Sequence, residues 1–193
     1  SPGGFGGSDI YVSRRHNKRD DYAWQPAENL GSQVNTAAEE QQPCIFEDDE
    51  TGEITLYFTS NRPGGSGGLD IYASAFQPDE TFGTPVLVVE LSSPFTDRGP
   101  TIRRDGLEIF FPSNRPGTLG FDDLWVSTRA STSDPWSAPV NVGPVVNSAS
   151  QEAQPALSFD GTALYFNTIP LSGAGGFDLC MATRSKLHGN GSK

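Results

Sequence analysis

Residues 54–75 read ITLYFTSNRPGGSGGLDIYASA: two apolar runs rich in Ile, Tyr and Phe, joined by a Gly- and Pro-rich link. Runs of this kind favour strands, and links of this kind favour tight turns. The second half of the stretch recurs along the chain. GGSGGLDIYASAF at 64–76 is matched by GGFGGSDIYVSRR at 3–15, GTLGFDDLWVSTR at 117–129 and GAGGFDLCMATR at 173–184. The aligned acids are Asp9, Asp70, Asp123 and Asp178, at intervals of 61, 53 and 55 residues. The first half recurs as LEIFFPSNRPGT from Leu107 and TALYFNTIPLSG from Thr162. A third element follows an aromatic residue. It reads NLGSQVNTAAEEQQP after Trp24, NVGPVVNSASQEAQP after Trp136 and VLVVELSSPFTDRGP after Phe82, the span from aromatic residue to Pro being one residue shorter in this middle copy. Each copy closes on acid-x-x-Pro, at Glu40, Asp97 and Glu152. A short apolar stretch and a turn come next: CIFEDDETG, TIRRDG and ALSFDG.

Each period therefore holds four short apolar runs separated by turns. Four antiparallel strands repeated at this spacing predict a β-propeller blade. Runs such as LYF and IFF are apolar on both faces, as a blade between two other blades requires. A plain β-sandwich needs no four matched copies. The chain has 193 residues, enough for a real core, and its 22 Gly and 15 Pro make up about a fifth of it. That excess argues against a helical protein, and 12 Phe, 5 Tyr and 3 Trp argue against disorder. A net charge of −11 without a basic stripe argues against nucleic acid. No run of 18 apolar residues is present to insert in a membrane.

The LYFTSNRPGGSGGLDIYAS string and the acid-x-x-Pro elements resemble TolB-like β-propeller repeats, the Pro-Asp relatives of the WD repeat in bacteria. The resemblance runs over residues 3–184. It implies a periplasmic or secreted setting and a binding or scaffold role, and propellers of this shape include hydrolases. The strands divide into a half blade (1–43), two blades (44–99 and 100–154), a partial blade (155–186) and a flexible tail (187–193). About 3.5 blades do not close a ring. The chain is then a fragment of a longer protein, or lacks residues at its ends, or completes a larger ring by self-association. The partners expected are a second copy, an envelope protein or a polysaccharide.

The candidates for chemistry are few. Glu40, Asp97 and Glu152 occupy matching crossings between blades, which predicts convergence at the mouth of the central channel. There they would serve as acid/base catalysts or hold a divalent cation such as Ca2+. The structural alternative is that each acid fixes its own crossing by accepting N–H bonds. The middle copy is unusually basic: Arg98, Arg103 and Arg104 are expected beside the acids as a polar ligand site. Arg62 and Arg115 of the SNRPG motifs, replaced by Ile169 in the last copy, would pair with the following Asp or bind an anion. Asp9, Asp70, Asp123 and Asp178 are read as locks on the Gly-rich hairpins. The acidic stretch 47–53 lacks EF-hand spacing and reads as a solvated loop. His16 and His188 lie outside the repeat cores, which leaves no Ser-His-Asp set. Cys44 and Cys180 read as buried free thiols, and Trp24, Trp125 and Trp136 as packing residues.

The leading function these residues imply is a non-catalytic binding or scaffold module. A carboxylate- or metal-dependent hydrolase of glycosides or phosphate esters is the alternative, and a propeller fragment without independent activity is the third.

Overall fold

The computed structural model describes residues 3–169 and 176–185; the 187–193 tail lies outside them. The described residues form thirteen strands and no helix. β1 (Tyr11–Val12) and β2 (Glu28–Asn29) make the first, two-stranded sheet. The second contains β3 (Glu40–Glu47), β4 (Ile54–Ser60), β5 (Asp70–Ala75) and β6 (Val86–Leu87). The third contains β7 (Thr101–Ile102), β8 (Glu108–Ser113), β9 (Asp123–Thr128) and β10 (Val140–Asn141). The last contains β11 (Glu152–Leu157), β12 (Ala163–Thr168) and β13 (Asp178–Thr183). Every pairing is antiparallel between sequence neighbours, so the expected blades are present as an all-β arc of a propeller.

Alternation along the strands sends side chains to both faces of each sheet, and both faces are apolar. Leu56 and Phe58 of β4 pack toward the first sheet with Ile10 and Val34. Tyr57 and Ile71 face the other way, against Ile109, Phe111 and Trp125 of the third sheet. Phe110 and Leu124 then meet Leu164 and Phe166 of the last sheet. The core is thus a series of layers between sheets, one per junction.

The acid-x-x-Pro element has a local reason for its form. Pairing of β3 with β4 shifts between Gln41 and Cys44, and pairing of β11 with β12 shifts between Ala153 and Ala156. The residue before each Pro has positive φ: 53° at Gln42, 55° at Gly99 and 51° at Gln154. Proline has no N–H for the ladder, and the bulge sets it where none is needed.

Candidate functional site

The register puts Glu40 opposite Ser60 and Ser60 opposite Asp70, so one end of the second sheet collects the repeated acids. The Asp9, Asp70 and Asp123 carboxylates lock the Gly-rich hairpins. Asp70 accepts the Ser66 and Gly67 N–H groups at 2.9 and 3.1 Å, and Asp123 those of Leu119 and Gly120 at 2.8 and 3.2 Å. Asp9 accepts from Phe5 and Gly6.

Glu40, Asp97 and Glu152 are 1%, 0% and 1% exposed. Each is held within its own crossing. Glu40 accepts Thr36 N–H (2.7 Å) and the Thr36 and Ser60 hydroxyls (2.8 and 2.9 Å). Asp97 accepts the Ser93 and Ser113 hydroxyls at 2.7 and 2.5 Å. Glu152 accepts Ser148 N–H (3.0 Å) and the Ser148 and Thr168 hydroxyls (2.6 and 2.9 Å). The backbone N–H of each acid donates to the preceding sheet, at the carbonyls of Ser8, Leu69 and Asp122. Among the described residues no three His, Cys, Asp or Glu side chains come together as a metal would require.

Arg62 and Arg115 do not pair with the following Asp. The Arg62 guanidinium meets Glu40 at 3.2 Å and donates to the Val34 carbonyl, while lying over the Phe58 and Tyr72 rings. Arg115 pairs with Asp97, donates to the Leu91 carbonyl and lies over Phe111 and Trp125. Asp70 and Asp123 accept the hairpin amides, and each guanidinium goes to the buried crossing acid of its blade. Thr168 stands in the place of Ser60 and Ser113, so Ile169 matches Asn61 and Asn114; Pro170, outside the described residues, is in sequence step with the arginines.

The basic residues of the middle copy separate. Arg98 stays at the acidic end and pairs with Asp122 at 2.6 Å, to which Gln151 also donates. Arg103 and Arg104 lie at the opposite end of the blade. Asp97 bridges Ser113, whereas Arg103 bonds the Glu108 carbonyl, and these two residues begin and end β8. Five strand steps separate them, about 17 Å. The expected cluster of Arg103 and Arg104 with the three acids is therefore absent, because the strand between them is extended.

What that opposite end holds instead is a cleft of about 600 Å³ between the third and last sheets, with Asp49 of the 47–53 loop at its edge. Arg104 bonds Asp49 at 3.0 Å and lies 4.2 Å over the exposed Phe159 ring. Arg103 bonds Asp105 at 2.8 Å and the buried Glu108 at 3.2 Å. Arg184 makes a two-pronged bond to Glu108, which raises the guanidinium pKa above its ordinary value. Donors, acceptors and an aromatic face thus line one cleft. Glu108, Phe159 and Arg184 were not singled out by motif; the one sequence signal is that Arg184 repeats Arg129.

Other expectations divide. Trp125 and Trp136 are buried, but Trp24 is 56% exposed under Arg15, with no sheet among the described residues packed over it. Cys44 and Cys180 are free thiols, each half-buried. Asp48 of the 47–53 loop accepts Glu50 and Thr51 N–H groups, and Asp49 joins the cleft. Asn35 and Asn147, buried and unremarked in sequence, bond both backbone groups of Ile10 and Leu124 in place of a strand.

No family model matches the chain, and no curated protein matches it. Solved structures do. An α-L-arabinofuranosidase from Lactobacillus brevis aligns over 91% of this chain and 62% of its own, at 16% identity and TM-score 0.58. A GH43_12 protein retrieved from a capybara gut metagenome aligns over 89% of this chain and 34% of its own, at 15% identity and TM-score 0.58. The Hadza microbial sialidase Hz136 aligns over 90% and 38%, at 15% identity and TM-score 0.56. The chain spans about a third to three fifths of these proteins. At such identity the likeness is one of fold, an incomplete β-propeller.

Proposed function

We propose that this chain is a non-catalytic binding arc of a larger β-propeller, taking a polyhydroxylated ligand of the carbohydrate class in the cleft around Arg104 and Phe159. The observation that carries the reading is the composition of that cleft. Its three arginines face Asp49, Asp105, Glu108 and Asp160, so it has little net charge to attract a phosphate or a simple anion. Hydroxyl groups both donate and accept, and the exposed Phe159 ring offers an apolar platform for a sugar face. The repeated acids, the candidates for catalysis, are buried and committed to their crossings, two of them against arginine. A periplasmic or secreted setting in bacteria follows from the TolB-like resemblance, with an envelope polysaccharide as the expected partner.

The test is calorimetric titration with arabino-oligosaccharides and sialyl-oligosaccharides. Saturable binding that Phe159→Ala and Arg104→Ala each weaken about tenfold is expected, with Arg98→Ala unchanged. Binding indifferent to both cleft variants would refute the reading.

A second reading is favoured by the sialidase and the arabinofuranosidase among the similar structures: a glycoside hydrolase, with Glu152 as the carboxylate free of arginine. Release of a chromophore from aryl α-L-arabinofuranosides or aryl sialosides, lost in Glu152→Gln or with EDTA, would select it. A chain that neither binds nor cleaves these sugars, yet does so once the flanking sequence is restored, would be the propeller fragment.

A further inference from the structure

The last repeat keeps the receptor for an arginine whose arginine the sequence has replaced. In the two preceding repeats a guanidinium sits in one slot with three kinds of contact. It meets the crossing acid, it donates to a backbone carbonyl (Val34 or Leu91), and it lies about 5 Å from two aromatic rings. In the last repeat the same positions are Glu152, Val146, Phe166 and Cys180. Ser148 and Thr168 hold the Glu152 carboxylate as Thr36 and Ser60 hold that of Glu40. These six residues line a cavity of about 380 Å³ that reaches the exposed Val145 and Met181. The shorter Cys180, in place of Tyr72 and Trp125, widens it. Among the described residues no cation pairs with Glu152, although it is 1% exposed. It accepts three hydrogen bonds, which leaves capacity for one more donor.

We propose that this cavity binds a guanidinium group supplied from outside the repeat. A buried carboxylate is costly without a cation. A planar guanidinium bonds a carboxylate and stacks on a ring at once, which an ammonium does less well. The group comes either from a free guanidinium-bearing molecule or from an arginine of a second copy.

Agmatine is the probe and the neutral N-butylurea its control, with the whole chain held at a concentration where it sediments as a monomer. Agmatine is expected to raise the melting midpoint saturably, and N-butylurea to leave it unmoved. Glu152→Gln should weaken agmatine binding about tenfold or more. Pro170→Arg, which restores the residue of the sibling repeats, should raise the midpoint by itself and abolish agmatine binding. Failure of agmatine to bind the monomer overturns the proposal. So does equal binding by a folded Glu152→Gln, or undiminished binding by Pro170→Arg. At higher protein concentration the source is separated: dissociation of an oligomer by agmatine identifies a second copy's arginine, and an unchanged sedimentation profile identifies the free ligand.

Discussion

Arg62 joins a buried acid, a backbone carbonyl and two rings, and so ties the Gly-rich hairpin of its blade to the crossing that enters it. Removing the cation leaves Glu40 buried and charged. Arg62→Ala is expected to cost about 3 kcal/mol in urea unfolding, and Arg115→Ala a similar amount. Arg62→Lys should recover less than half of the loss, since an ammonium does not bridge and stack together. Glycine acts at the same scale through absence. A Cβ at Gly67 would collide with the Ser93 and Phe95 carbonyls, and one at Gly120 with the Ser150 carbonyl. These are backbone atoms and cannot swing aside. Gly67→Ala should therefore destabilise by more than about 1 kcal/mol, whereas Gly68→Ala, which meets only the Thr96 hydroxyl at 3.0 Å, should cost less.

At the scale of the element, β3 and β4 bring Cys44 opposite Tyr57 in a half-dry layer. Burial pushes the Cys44 thiol above its ordinary 9.0, against one opposing backbone donor at Ile102. Burial likewise pushes the Tyr57 hydroxyl above its ordinary 10.0, with Arg129 opposing. Both groups are held in the neutral, protonated form when folded. Their contribution is complete below the unfolded-state values and is lost as pH rises through the folded ones. The urea midpoint is expected to be level from pH 7 to the thiol range and to fall above it. Cys44→Val should flatten the first part of that fall; a midpoint that climbs above pH 9 would contradict the assignment. The strands themselves were legible because repetition aligns them: Ser60, Ser113 and Thr168 end three equivalent strands, and Asp9, Asp70 and Asp123 lock three equivalent hairpins. The side-chain partners were less so. Arg115 reaches an acid 18 residues away at the crossing into its own blade, and Arg184 an acid 76 residues away in the neighbouring sheet, separations that no local pattern reports. The separation of Arg103 and Arg104 from the acids is readable in the sequence, because Asp97 and Arg103 sit six positions apart on one extended run and cannot share an end.

At the scale of the molecule, the layers between sheets stop before the ring does. Tyr57 and Ile71 in the second sheet are 5% and 0% exposed, and Phe110 and Leu124 in the third are 5% and 0%. Tyr165 and Leu179, at the same positions of the last sheet, are 40% and 80% exposed, and Met181 beside them is 58%. What buries the equivalent positions in the second and third sheets is the sheet that follows each of them. We expect a second copy of the chain to cover this face when the chain is isolated. It should sediment above its 20.7 kDa monomer mass at micromolar concentration. Leu179→Glu with Met181→Glu should return it to the monomer while leaving the circular dichroism unchanged, since both side chains already face solvent there. A monomeric wild type at high concentration would show that the last sheet tolerates its bare face. Loss of fold in the double variant would show that the face is packed within this chain.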